Sequence, residues 1–208
     1  FDPLLRGKDW KIVWRASTWV GPVGANEFEI DQVQNGDDIY LTIDIGIQKE
    51  VENIIKTVME TTDILLKNSD DYSARGEFAW AATNALNGTT TVGTAGFSFP
   101  NHLIEHALSA LYNVPHGAGL SVVIPAWAKW YYKQNEAQFI RFAKEIFGKN
   151  TALEGIEALE SWFNKIGTPT RLNQFGLDKS NISDIIENLS YQNDIEKDDL
   201  EKILSNAL

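Results

Sequence analysis

The sequence predicts a mainly α-helical protein, a helical bundle carrying a small strand-rich N-terminal segment. Three observations lead there. From Lys49 onward, apolar residues recur every three to four positions, as on one face of a helix. Helix-ending and helix-starting residues punctuate that pattern at Asn87-Gly88, Pro100, Pro115, Gly148 and Gly167. Residues 1–47 have another texture, rich in Gly, Trp, Val and Ile. The boundary therefore falls near residue 48, between a strand-rich segment (1–47) and a helical domain (48–208).

In the first segment, WKIVWRASTWV (10–20) has the β-branched and aromatic residues of a strand, and GPVG (21–24) breaks it. NGDD (35–38) is a turn signal, and IYLTIDIGI (39–47) partly alternates apolar and polar, as a half-buried strand does. In KEVENIIKTVMETTDILLK, Val51, Ile54, Ile55, Val58, Met59 and Leu65 or Leu66 form one stripe. NSDDY (68–72) interrupts it. Ser73 to Leu86 reads as an Ala-rich helix, and 89–99 as a loop. Pro100 suits a first helical turn, where its missing N–H is no loss. That helix runs to about 112. The next begins near His116 and continues towards Tyr132, with a bend expected at Pro125. EAQFIRFAKEIFG (136–148) and ALEGIEALESWFNKIG (152–167) are amphipathic and end on Gly. TPTRLNQFGLD (168–178) is a connector, followed by two short helices.

The formal net charge is −11, with no basic stripe to meet a polyanion, so nucleic acid is excluded as a partner. No run of about 18 apolar residues exists, so no membrane span is expected. The first residues lack the basic and apolar regions of a signal peptide, which points to the cytoplasm. There is no cysteine, so any metal must be held by nitrogen and oxygen.

All three histidines, His102, His106 and His116, lie in FPNHLIEHALSALYNVPHG. His102 and His106 are four apart, on one helix face and one turn apart. The break at Asn113-Val114-Pro115 can bring His116 back towards them, with Leu103, Ala107, Ala110 and Leu111 left to pack. Converging neutral imidazoles suit Zn²⁺ or Fe²⁺. A competing reading exists, since HLIEH fits the H-x-x-E-H pattern of inverted zinc peptidases. Glu105 would then be the base and Glu187 a third ligand, while His116 stays idle.

The wider segment GFSFPNHLIEHALSALYNVPHGAGLSVVIPAW resembles the iron-containing alcohol dehydrogenase family, in its butanol dehydrogenase and aldehyde reductase branch. The features that carry the resemblance are His102, His106, His116-Gly117, Leu120 and Pro125, and it extends over roughly residues 48–208. It implies a dehydroquinate synthase-like C-terminal helical domain. It also implies a divalent metal, Fe²⁺ or Zn²⁺, and hydride exchange between NADP(H) and a small alcohol or aldehyde. By position, His102 and His116 match metal ligands, and His106 matches the catalytic-cleft histidine beside the nicotinamide. Trp80 and Phe97 would line the substrate pocket or the core.

The family's other two ligands, an Asp and a His four apart, have no counterpart. QVQNG (32–36) and YLT (40–42) resemble the ends of their helix, with only Asp37, Asp38 and Ile39 between. No Gly-rich phosphate loop is present, so no nucleotide site is assigned. The expectation is an oxidoreductase-derived chain, with a non-catalytic, weakly metal-binding helical domain as the alternative. A homodimer is the expected assembly if apolar surface is left open.

Overall fold

The computed structural model describes residues 37–88, 90, 99–189 and 195–208, with side chains from Gln48 onward. Eight α-helices occur among the described residues, and no strand. They are α1 (Asp37–Leu65), α2 (Tyr72–Leu86), α3 (Pro100–Tyr112), α4 (His116–Tyr131), α5 (Glu136–Phe147), α6 (Ala152–Lys165), α7 (Ile182–Leu189) and α8 (Lys197–Asn206). No helix among the described residues is long and apolar enough to cross a membrane.

One expected element changes type. The strand expected at 39–47 has helical backbone, continuous with α1. Its β-branched residues prefer strands only weakly. Extending an existing helix adds a hydrogen bond per residue without a second nucleation cost. Strands expected before residue 37 lie outside the described residues.

Helices α3, α4, α7 and α8 share a hydrophobic core. Ile104, Ala107 and Leu108 of α3 meet Val122, Val123 and Ala126 of α4. Ile182, Ile185 and Leu189 of α7 and Leu200, Ile203 and Leu204 of α8 belong to the same cluster, as does Leu172 from the connector, fully buried. Burying a side chain of this size contributes about 1.5–3 kcal/mol. Pro125 sits inside α4, buried, and the helix continues past it to Tyr131. Ser121 Oγ, in the turn before that proline, lies 2.9 Å from the Ala118 carbonyl and 2.6 Å from that of Pro169. This fixes the 168–178 connector against α4. The connector forms a short 3-10 turn at Leu172–Phe175, and Leu172 N–H donates to the Ala207 carbonyl at 2.8 Å.

On the other side of α4, α5 and α6 pack closely as a hairpin. Gly148 ends α5 in the left-handed region, at φ 63°, which glycine adopts without strain. Thr151 and Glu154 form a reciprocal capping box at the start of α6. Gly155 then lets α6 approach α5 at Ala143, where a Cβ would stand 2.4 Å from the alanine's own. Glu160 of α6 receives both Lys129 Nζ, at 2.8 and 2.9 Å, and Arg171, so a nearly buried charge is answered twice.

Candidate metal centre

The centre forms where α3 turns into α4. Pro100 starts α3 and puts His102 in its first turns. Ile104, Ala107 and Leu108 face the core; of the four residues expected from spacing, Ala107 packs there, Leu103 is half-buried, and Ala110 and Leu111 are exposed. His102 and His106 are carried on the opposite side. The helix ends at Asn113 with φ 54° and ψ 36°, a left-handed conformation that asparagine tolerates better than most residues. Val114 is buried, and Pro115, extended at φ −61° and ψ 130°, precedes His116 at the start of α4. The corner thus returns His116 to the first two histidines, as the sequence suggests.

The three rings gather closely. Ring centroids stand 5.3 Å apart for His102–His116, 5.4 Å for His106–His116 and 6.4 Å for His102–His106. Metal–nitrogen bonds of about 2.1 Å in tetrahedral geometry put two imidazoles sharing an ion roughly 5 Å apart by centroid. Both pairs that include His116 meet that spacing; the His102–His106 pair is too long. The donor chemistry and spacing therefore fit a divalent ion such as Fe²⁺ or Zn²⁺. Phe99 leans edge-on against His102, with centroids at 5.1 Å. Burial, with the neighbouring His116 and His106 acting in the same direction, holds the His102 imidazole below the ordinary histidine pKa. It is thereby favoured in the neutral form that offers a lone pair.

Beneath the rings lies Glu105, with no exposed surface. Its Oε2 meets His116 Nδ1 in a hydrogen bond. Ser109 Oγ lies 2.5 Å from Glu105 Oε1 and 2.8 Å from the Val114 carbonyl. Gly119 supplies the space, since a Cβ there would come within 2.6 Å of Glu105 Cγ and Oε1. Ligand-capable atoms of Glu105, His106 and His116 lie within 4.8 Å of one another. Proximity alone would thus make Glu105 a ligand, but its position under the rings and its hydrogen bonds favour the imidazoles.

The same burial removes Glu105 as a water-activating base. Glu187, the peptidase reading's third ligand, sits on α7 in a surface pocket with Lys179, Lys197 and Glu201, which holds no histidine. Trp80 is exposed on α2. Phe97 and the side chains of Asp37 and Asp38 lie outside the described residues. Spacing alone did not single out Ser109 and Gly119. The signal available was a glutamate one turn before a serine and beside Ile104 and Leu108, followed by Gly119 early in the next helix.

Comparison with known proteins places the helical region in a family. Residues 49–208 match the Fe-containing alcohol dehydrogenase family, C-terminal region. The chain is 32% identical over 144 residues to probable NADH-dependent butanol dehydrogenase 1 of Bacillus subtilis, covering 65% of this chain and 37% of the relative. It is 30% identical over 156 residues to an NADPH-dependent aldehyde reductase of Escherichia coli, covering 71% and 40%. Among solved structures, NADH-dependent butanol dehydrogenase A of Thermotoga maritima superposes with a TM-score of 0.75 at 40% identity, over 77% of this chain and 46% of that one. The chain spans 37%, 40% and 46% of the length of these three relatives. The match over residues 49–208, together with the helical fold, shows that the chain belongs to the iron-containing alcohol dehydrogenase family.

Proposed function

We propose that residues 49–208 are the metal-holding helical part of an NAD(P)H-linked alcohol dehydrogenase or aldehyde reductase acting on small alcohols and aldehydes. The observation that carries this reading is the gathering of three imidazoles at the α3–α4 corner, with each pair that includes His116 at a centroid distance suited to a shared ion. In it, His102 and His116 hold Fe²⁺ or Zn²⁺, and His106, the more exposed neighbour of His102, borders the nicotinamide and substrate side. A divalent ion held there would supply a Lewis acid for a carbonyl or alkoxide oxygen. Phe99, leaning on His102, restrains the ring's rotation and narrows its access to water. His106, exposed and beside both other rings, is placed to exchange a proton with a group entering the cleft. The names of the relatives, butanol dehydrogenases and an aldehyde reductase, support the substrate class.

The test is NADH or NADPH oxidation with butyraldehyde, followed at 340 nm after anaerobic loading with Fe²⁺ or Zn²⁺. Turnover lost in His116→Ala is the expected result for the catalytic reading. Bound metal without turnover would restrict residues 49–208 to holding the ion. Absence of both metal and turnover would leave a helical domain with no catalytic role.

A further inference from the structure

We propose that Glu105 is the positioning residue of this centre: its buried carboxylate fixes the His116 ring so that Nε2 is the nitrogen offered to the ion. The inference rests on the reading of His116 as a ligand and adds the group that aims it. An ionised carboxylate only accepts hydrogen bonds, so the contact at His116 Nδ1 places the ring proton there and leaves the lone pair on Nε2. The carboxylate–imidazole–metal arrangement is a general way to orient a ligand and raise its basicity.

Three features separate Glu105 from an ordinary buried charge. The other deeply buried carboxylates among the described residues, Glu52 and Glu160, are answered by Arg141 and by Lys129 with Arg171. The ion pair recorded for Glu105 is with an imidazole, and its other side-chain partner is a hydroxyl. Burying a carboxylate is costly without such partners, so His116 and Ser109 stabilise it where it lies. Space for it is built in, because any side chain at Gly119 would collide with Glu105 Cγ and Oε1. Finally, the single Ser109 hydroxyl proton is shared between two acceptors within reach, Glu105 Oε1 and the Val114 carbonyl, which links the carboxylate to the turn that delivers His116. Glutamate, serine, glycine and turn thus form one support beneath one ring.

The experiment uses the whole 208-residue chain, with Co²⁺ as a spectroscopic probe and ¹⁵N-labelled histidine to read the tautomer of each ring. Glu105→Gln keeps the shape packed against Gly119 and is expected to weaken Co²⁺ binding about 10–100-fold. Glu105→Ala is expected to shift His116 from the Nδ1–H tautomer to the Nε2–H tautomer that free imidazole side chains favour. Far-UV circular dichroism checks that each variant folds. Ser109→Ala keeps the carboxylate and removes its brace; it is expected to give a smaller loss, and it carries the test if the Glu105 variants fail to fold. Unchanged Co²⁺ affinity in the folded variants, with His116 still protonated on Nδ1, would overturn the proposal. If the unaltered chain takes up no Co²⁺, the metal reading fails on its own. The tautomer then decides: Nδ1–H lost in Glu105→Ala supports the positioning role, and the same tautomer in both proteins overturns it.

Discussion

The α5–α6 and α3–α4 corners solve the same geometrical problem with opposite means. Between α5 and α6 the chain uses devices that favour stability. A glycine takes the left-handed position, a capping box satisfies the helix start, and glycine meets alanine across a close contact. Between α3 and α4 an asparagine takes the left-handed position and α4 starts on Pro115 with no side-chain cap. The close contact there is between Gly119 and a buried carboxylate. Local rules of stability are kept in the first corner and relaxed in the second, as expected where a fold gives up some stability to place reactive groups.

Paired glycine substitutions test that contrast most strongly. Gly155→Ala forces a methyl into Ala143 and is expected to cost about 1–3 kcal/mol of thermal stability while leaving metal uptake intact. Gly119→Ala forces a methyl into Glu105 and is expected to lower metal uptake as well as stability. Chemical or thermal unfolding with metal analysis checks both. Metal loss in the first variant, or full retention in the second, would break the comparison.

Next in size is the charge cluster joining α6 to α4. Burial pushes the Glu160 carboxyl up, but hydrogen bonds from Arg171 and Lys129 outweigh it and hold its pKa below the ordinary value of about 4.5. A carboxylate whose folded pKa is depressed adds stability that is fully present above its unfolded pKa. That stability is lost as pH falls through the folded pKa. Glu160→Gln should therefore flatten the fall in stability below about pH 4.5, read from melting temperatures at successive pH values. Glu160→Ala at neutral pH is expected to cost about 1–3 kcal/mol, since two charged hydrogen-bond donors lose their acceptor.

Smaller effects belong to the helix ends. Thr151→Ala removes half of the capping box and is expected to cost about 1 kcal/mol in urea unfolding. Asn113→Gly, at the other corner, is expected to shift stability by no more than about 0.5 kcal/mol, because asparagine already tolerates its left-handed backbone. A much larger gain there would mean that the α3–α4 corner carries real backbone strain.

Helices α3 to α6 were legible in the sequence because proline, asparagine and glycine mark their ends and their apolar spacing is regular. Residues 39–47 were not, since alternation over nine residues suits a half-buried strand as well as the start of a long helix. Clustering of the histidines was legible, as all three lie within 102–116 around one break. The role of Glu105 was not. The H-x-x-E-H pattern suggests an exposed base, and only the return of α4 over α3 shows that this glutamate is sealed under His116. Of the α3 residues that spacing chose to pack, Ala107 is in the core and Leu103 is half-buried, while Ala110 and Leu111 are exposed. A face defined by i and i+4 can be rotated by one residue, and the core selected Ile104 and Leu108.

Spacing treats His102 and His106 alike with respect to His116, at 5.3 and 5.4 Å, so the measurement that tests the central claim must separate them. It is metal content per chain after anaerobic exposure to Fe²⁺ or Zn²⁺ and desalting, for the unaltered protein and for His102→Ala, His106→Ala and His116→Ala. The account predicts metal in the unaltered chain and in His106→Ala, and its loss in the other two. Metal lost in His106→Ala and kept in His102→Ala would contradict it and move the ligand role from His102 to His106.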